Sequence, residues 1–303
     1  MPITVLKKHK LKRFILFLLL GLTHPIQADE PIPLHIAFMD YTFAEVSKED
    51  TKVAVDFYLQ KLLYNTGNKP IAMIFSELDV LKQALQNKDV LMASMSTPDF
   101  LRLAPDSLLK PILTRVKTNG DISDTFVILV HKNKNWTALQ DLKNPSVRIQ
   151  QNDILAKYWL QVALARAQHP QALQFFSAIE QDVRPSQSIL SVFFGKSDVC
   201  VVNTAVFEAM SQLNPQIAQK LVPILTSPKF LTGFLCTHVE MPIERQDVIT
   251  KASLALSQSE DGRQVIRLFK TKEIVPFQDA YIKTVVDLFD QHKKYYGTTE
   301  LSF

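Results

Sequence analysis

Hydrophobic and polar positions follow two different periods along most of this chain. Short apolar runs of strand length recur at residues 34–39, 72–76, 89–94, 126–132, 147–150, 175–179, 198–202 and 233–239. Between them, apolar residues return every three or four positions, as in Val55, Tyr58, Leu59, Leu62 and Leu63, which is the period of an amphipathic helix. Alternating strands and helices predict an α/β protein with mostly parallel sheets flanked by helices.

The predicted elements fall into two blocks. The polar segment 114–125, which contains Gly120, is typical of a connection, and the turn at Thr226-Ser227-Pro228 marks a second one. The apolar spacing of residues 281–291 predicts a final helix that packs on a lobe already formed. We therefore expect one lobe built from residues 29–118 plus 232–303, a second lobe built from 119–231, and two chain crossings between them.

The beginning of the chain has a different pattern. Basic residues at positions 7–13 precede a short apolar run at 14–22, and the segment that follows ends in the small residue Ala28. These are the three parts of a secretory signal peptide. The apolar run is far shorter than the roughly 20 residues of a membrane-spanning helix. We expect residues 1–28 to be removed after Ala28 and the remaining chain to be exported.

Removal of residues 1–28 changes the charge of the protein. The full chain has 34 basic and 30 acidic residues, a formal net charge of +4. Five basic residues and no acidic ones lie before position 29, which leaves 29 basic residues against 30 acidic ones, or about −1. A chain without basic excess is not typical of nucleic-acid-binding proteins, so no nucleic-acid partner is expected.

The reactive residue types form no recognisable catalytic or metal-binding motif. The chain contains no GxSxG, HExxH or CxxC sequence, so we expect neither an enzyme nor a metal or organic cofactor. Cys200 and Cys236 both lie in strand-like apolar runs. That position favours two buried free thiols, although a disulfide in an exported chain stays open.

Five segments resemble the periplasmic phosphate/phosphite/phosphonate-binding protein family. They are Tyr64-Asn-Thr-Gly-Asn-Lys-Pro70, Leu85-Gln-Asn-Lys-Asp-Val-Leu-Met-Ala-Ser94, Asp141-Leu-Lys-Asn-Pro-Ser-Val-Arg-Ile149, Phe194-Gly-Lys-Ser-Asp-Val-Cys-Val-Val-Asn203 and Ser259-Glu-Asp-Gly-Arg263. They occur in the order that the family has. The resemblance implies the two-lobed periplasmic binding protein fold, with a hinge that closes the lobes on a small solute. It also implies delivery of that solute to the membrane subunits of an ABC-type importer.

Ligands of open α/β sheets bind beyond the carboxyl ends of the strands, where loops lead into helices. Helix N-termini at these loops present free amides that suit an oxyanion. The residues at these positions are Tyr41, Thr42, Ser94, Ser96, Thr97, Gln151, Asn152, Asn203 and Thr204, and we predict that they bind the ligand. Simple packing of Tyr41 and capping by Ser96 or Thr97 ahead of Pro98 are open alternatives.

Two positions depart from the family pattern. Family members that bind phosphonates have a run of small hydroxyl residues where this chain reads Gln151-Asn152-Asp153, and they often carry a histidine that is missing near Arg184. Asp153 would repel an oxyanion if it faced the cleft, but it would cost nothing as a helix cap.

Two functions therefore stay open. The first is capture of a small polar, oxyanionic, phosphonate- or phosphate-like solute for an importer. The alternative is a receptor with a drifted pocket that acts as the sensory or accessory partner of a membrane histidine kinase or cyclase.

Overall fold

The computed structural model describes residues 31–43, 48–64 and 66–303, so the predicted signal peptide and its cleavage site lie outside the described residues. The strands of the described part are β1 (Ile32–Met39), β2 (Asn68–Phe75), β3 (Met92–Ser96), β4 (Leu109–Lys117), β5 (Phe126–His131), β6 (Ser146–Gln150), β7 (Ala178–Asp182), β8 (Val199–Asn203), β9 (Leu221–Thr226), β10 (Gly233–His238) and β11 (Thr271–Pro276). The helices are α1 (Lys48–Leu62), α2 (Leu78–Gln86), α3 (Thr97–Leu103), α4 (Ile154–Arg166), α5 (Ala172–Phe175), α6 (Pro185–Phe193), α7 (Thr204–Leu213), α8 (Pro215–Lys220), α9 (Ile243–Leu256), α10 (Glu260–Leu268) and α11 (Lys283–Tyr296).

The strands form two separate sheets, ordered β11-β4-β10-β3-β1-β2 and β7-β6-β8-β5-β9. Strand β1 is parallel to β2 and β3, and β6 is parallel to β7 and β8. The remaining neighbours, which involve β4, β5 and β10, are antiparallel. The α/β class is confirmed, and each sheet is mixed rather than mostly parallel.

The antiparallel strands are the ones next to the chain crossings. The chain leaves the first sheet through β4 and enters the second through β5, then leaves through β9 and returns through β10. Strands β4 and β10 are neighbours, as are β5 and β9. The strand by which the chain leaves a sheet and the neighbouring strand by which it returns must run in opposite directions. This explains why the sheets are mixed.

Some predicted strand positions differ from the structure. Residues 114–117 belong to β4 rather than to a connection, and the run predicted at 175–179 begins as helix α5 before β7 starts at Ala178. Strands β4, β9 and β11 contain Pro111, Pro223 and Pro276. Proline cannot donate to a strand ladder and argues against a central strand, which is why these segments lack a clear strand pattern. Two of them, β9 and β11, are edge strands.

The two crossings lie side by side. The backbone N–H of Asp124 donates to the carbonyl of Phe230 at 2.8 Å, and the N–H of Phe230 donates back to Asp124 at 2.8 Å. Residues 118–125 and 227–232 therefore form a short paired link between the sheets. The chain crosses a third time between β11 and α11, through residues 277–282.

The last helix, α11, packs on the side of the molecule that contains the second sheet, not on the side of the first sheet. Val285 and Leu288 of α11 belong to the apolar core that surrounds α4, and Phe289 stacks on Tyr158 of α4 at 4.1 Å between ring centroids. We expected residues 232–303 to belong together with the first lobe. The contacts of α11 do not favour that boundary, because its apolar face is buried against α4.

The two cysteines are free and buried, as predicted from their apolar surroundings. Cys200 lies in β8 of the second sheet and Cys236 in β10 of the first. Burial raises the pKa of both thiols above the ordinary value, so both are unreactive as nucleophiles. Within the described ranges, no helix has the length and apolar character needed to cross a membrane.

Candidate functional site

A cavity of about 630 Å³ lies between the two sheets. Its walls come from the loop after β1, the start of α3, the first crossing, and the starts of α4 and α7. Both sheets thus present the carboxyl ends of strands and the helix starts that follow them. A cavity of this size is suited to a metabolite-sized solute.

Five of the nine predicted ligand-binding residues line this cavity. They are Tyr41, Thr42, Ser96, Asn152 and Asn203. Two come from the loop after β1 and one from the end of β3, so the first sheet contributes three of them. Asn152 and Asn203 stand opposite, at the starts of α4 and α7. The rule that ligands bind beyond the carboxyl ends of strands (the strand-end rule) therefore placed residues of both sheets at one cavity.

The other four predicted residues have different partners and are not among the lining residues. Ser94 lies within β3, paired between Phe38 and Leu235. Thr97 is fully buried, and its hydroxyl donates to the carbonyl of Leu231 at 2.5 Å. The sequence pattern had placed these side chains at the site only because they lie close in sequence to the strand ends.

Gln151 and Thr204 also form hydrogen bonds with residues outside the cavity lining. Gln151 is exposed, and its carbonyl accepts a hydrogen bond from Nζ of Lys157 at 2.6 Å. The hydroxyl of Thr204 donates to the carbonyl of Thr125 at 3.0 Å and accepts from the Thr125 hydroxyl at 2.8 Å. Thr204 thus links α7 to the residue before β5.

The first-sheet wall is organised around Asp99. The hydroxyls of Tyr41 and Ser96 both donate to Oδ2 of Asp99, at 2.8 Å from Ser96, and the Asp99 N–H donates to Oγ of Ser96 at 3.2 Å. Ser96 is therefore the N-cap of α3 as well as a lining residue. Burial raises the pKa of Asp99 to about 6, partly opposed by the charge of Arg102. The proton of the Tyr41 hydroxyl is already used by this carboxylate.

An ion pair joins the two ends of the first crossing. Nζ of Lys117 lies 2.7 Å from Oδ1 of Asp124 and also donates to the Ser123 carbonyl, while the Thr232 hydroxyl donates to Oδ2 of Asp124 at 2.9 Å. Burial alone would raise the pKa of Asp124, but the hydrogen bond and charge of Lys117, with hydrogen bonds from Asn203 and Thr232, bring it below the ordinary value. Asp124 is thus ionised and neutralises Lys117.

Asp153 both caps a helix and lines the cavity. Its Oδ1 accepts the N–H of Ala156 at 3.1 Å, which makes it the N-cap of α4. Burial raises its pKa to about 6; the Ala156 hydrogen bond and Lys157 oppose this rise, and the charge of Asp124 adds to it. The two roles that the sequence left as alternatives are therefore combined in one side chain.

Several charged lining residues had no signal in the sequence pattern. Arg115, Lys117, Asp124, Glu208 and Lys270 all reach the cavity. Lys117 and Asp124 lie in or beside the segment interpreted as a plain connection. Only the pairing of the two crossings places them between the sheets, and no periodicity marks such a position.

The sequence matches the family described as "ABC transporter, phosphonate, periplasmic substrate-binding protein" over residues 46–281. The chain belongs to this family. The match covers the second sheet, the first sheet apart from β1, and the helices α3, α4 and α7 whose starts line the cavity. Members of the family are substrate-binding proteins, not enzymes, and they work with the membrane subunits of ABC transporters.

Solved structures share the fold at low sequence identity. A binding protein component of an ABC phosphonate transporter from Pseudomonas aeruginosa is 13% identical, with 90% of each chain covered and a TM-score of 0.69. PhnD1 of Prochlorococcus marinus in complex with methylphosphonate is 13% identical over 87% of this chain and 99% of that one, with a TM-score of 0.66.

A Xanthomonas citri protein bound to ATP is 11% identical over 88% of this chain and 99% of that one, with a TM-score of 0.70. These similarities confirm the two-lobed binding-protein fold. The comparison with curated proteins gave no match.

Proposed function

We propose that this protein captures a small polar solute in the cavity between the sheets and delivers it to the membrane subunits of an ABC-type importer. The observation that carries the proposal is the cavity itself, lined from both sheets and by the crossing that joins them. Closure of two halves about such a link encloses a solute between them. The family to which the chain belongs supports the same role.

Export and the lobe boundaries belong to this proposal. We propose that residues 1–28 are a signal peptide, cleaved after Ala28, because their pattern has the three parts of one. We also propose that the moving units are 31–118 plus 232–282 and 119–231 plus 283–303. The contacts of α11 with α4 support the transfer of residues 283–303 to the second unit.

A thermal-shift screen of the mature protein tests solute capture. The panel contains phosphonates, phosphate, phosphite, sulfur oxyanions and small amines. A solute at about 100 times its Kd adds about 2.7 kcal/mol to the free energy of unfolding, which we expect as a melting-temperature rise of roughly 5 °C. No rise with any member of the panel would contradict the proposal.

The identity of the membrane partner distinguishes the two open functions. We expect in-cell crosslinking of the exported protein to recover ABC permease subunits. Recovery of a histidine kinase or cyclase alone would instead favour the sensory role, which none of the comparisons supports.

A further inference from the structure

The charges of the cavity point to one feature of the solute. We propose that the solute presents a positively charged nitrogen to Asp153, and that solutes carrying only negative charge are excluded. This inference rests on the proposed function, because it specifies what the cavity between the sheets binds. It follows from which hydrogen-bond donors and which charges are still free in that cavity.

The start of α4 offers an acceptor rather than donors. The N-terminus of a helix attracts anions through its free N–H groups and positive dipole end. Here the Asp153 carboxylate already occupies that place, since its Oδ1 accepts the Ala156 N–H. No hydrogen bond to Oδ2 of Asp153 occurs among the described residues, and Asp153 lines the cavity. An anion at this helix start would meet a carboxylate, whereas a cation would pair with it.

The two lysines near the cavity already have hydrogen-bond partners. Lys117 is bound by Asp124 and the Ser123 carbonyl. Lys157, which follows Asp153 on α4, donates to the Gln151 carbonyl at 2.6 Å and to Oε1 of Gln181 at 2.7 Å. Lys117 is thus neutralised by Asp124. The charge of Lys157 lowers the pKa of Asp153, but Nζ of Lys157 forms its hydrogen bonds to Gln151 and Gln181 rather than to Asp153, and Lys157 does not line the cavity.

The remaining charged groups of the lining are exposed. Arg115 donates to the Phe269 carbonyl at 3.1 Å, and Lys270 and Glu208 are exposed as well. Water and salt screen such charges strongly. Among the charged lining residues, the Asp153 carboxylate is therefore the one that is neither exposed nor in an ion pair.

Protonation of Asp153 should change the affinities for cationic and for anionic solutes in opposite directions. Burial and the neighbouring Asp124 raise the pKa of Asp153 to about 6, against the effects of the Ala156 N–H and Lys157. Below that pH the carboxyl group becomes neutral. The affinity for a cation then falls by up to about tenfold for each pH unit, while the affinity for an anion rises. Lys117, Arg115, Lys270, Glu208 and Asp124 also face the cavity. Burial raises the pKa of Asp99 to about 6 as well, and Asp99 lies behind the lining residues Tyr41 and Ser96, so the variant Asp153→Asn separates its contribution from that of Asp153.

Calorimetric titration of the mature protein with matched probes tests the inference. The probes are 2-aminoethylphosphonate and ethylphosphonate, which differ only in the ammonium group, together with ethanolamine and inorganic phosphate. We expect the two ammonium-bearing probes to bind at least about tenfold more tightly than the corresponding anions at pH 7.5, and to weaken between pH 6 and pH 5. Equal or tighter binding of ethylphosphonate or phosphate, with affinity that rises as the pH falls, would overturn the inference.

Failure of both ammonium probes to bind would overturn it as well. The proposed function would fail separately, only if the wider thermal-shift panel also contained no binder.

Asp153→Asn supplies the decisive variant. Asparagine caps helices as well as aspartate does, so the variant should keep its melting temperature while losing only the charge. We expect the ammonium preference to fall by at least about tenfold and the pH effect near 6 to disappear. Asp141→Asn is the matched control, because it removes the same charge from a hydrogen-bonded, half-buried aspartate away from the cavity. Retention of both the preference and the pH effect in Asp153→Asn would contradict the inference.

Discussion

Ser96 and Thr97 are neighbouring hydroxyl residues with opposite surroundings. Ser96 lines the cavity and caps α3, while Thr97 is fully buried and bonds the Leu231 carbonyl of the second crossing. The backbone N–H of Thr97 also donates to the Thr232 carbonyl at 3.0 Å. Thr97 therefore attaches the second crossing to the start of α3, which is a structural role.

Thr97→Ala should destabilise the protein. The change leaves the buried Leu231 carbonyl without its hydroxyl donor, and an unsatisfied buried polar group costs about 1–3 kcal/mol. We expect urea denaturation to show a loss of that size. Thr97→Ser should restore most of it, because it keeps the hydroxyl.

Thr42→Ala is the control for this experiment. Thr42 is an exposed residue of the cavity lining, and its replacement should leave the free energy of unfolding nearly unchanged. If Thr97→Ala and Thr42→Ala unfold at the same urea concentration as the wild type, the structural role of Thr97 is wrong.

Helix α4 is covered on one side by the second sheet and on the other by the C-terminal segment. The hydroxyl of Tyr158 donates to the Thr299 carbonyl, Nε2 of Gln161 donates to the Ser302 carbonyl at 2.8 Å, and Leu301 and Phe303 pack on the same core. A helix that is apolar all round is buried, which accounts for the weak amphipathic pattern of α4. The helix that begins just after Asp153 is thus held in place by the end of the chain.

Leu288→Ala tests whether α11 belongs with α4. Leu288 is buried in the core of α4, and a large-to-small change there costs about 2–5 kcal/mol. We expect hydrogen exchange of the α4 amides to accelerate while that of β1 in the first sheet changes less. Asp287→Ala, at the exposed neighbouring position on the same helix, should leave both elements unchanged. Equal acceleration in β1 and α4 would contradict the assignment of α11 to the second unit.

At the scale of the whole molecule, the two sheets are joined by two adjacent crossings and by the third passage of the chain at residues 277–282, and the cavity lies against the first crossing. The Asp124–Phe230 backbone pair holds the crossings together, and the Lys117–Asp124 ion pair closes the first one. Bending confined to this narrow link would move the sheets as rigid bodies. The solute would then contact both sheets only when the sheets are close together.

Small-angle scattering should detect this movement. We expect the radius of gyration of the mature protein to decrease when a binding solute from the thermal-shift panel is added at saturation, because the bound solute stabilises the closed arrangement. The same solute at a concentration well below its Kd should leave the curve unchanged. Identical curves at saturation and in the absence of solute would show that binding does not close the lobes.

The local pattern predicted much of the fold and part of the site. Seven of the eight strand-like runs correspond closely to strands, and the strand-end rule brought Tyr41 and Asn203 to one cavity from opposite sheets. Ser94 and Thr97 are not among the lining residues, because Ser94 lies inside β3 and the hydroxyl of Thr97 is bound to the Leu231 carbonyl. The strand-end rule also missed Lys117 and Asp124, since nothing in a polar connection indicates that it pairs with another one far along the chain.

The sequence by itself determined the types of most elements, the α/β class and the family, because strand and helix periods and short motifs are local properties of the chain. Only the tertiary structure decided the mixed strand order, the attachment of α11 to α4, and the charge balance of the cavity. Each of these depends on pairing between residues far apart in sequence, such as Asp124 with Phe230 and Tyr158 with Phe289. Local periodicity specifies which face of an element is buried, but not which other element buries it.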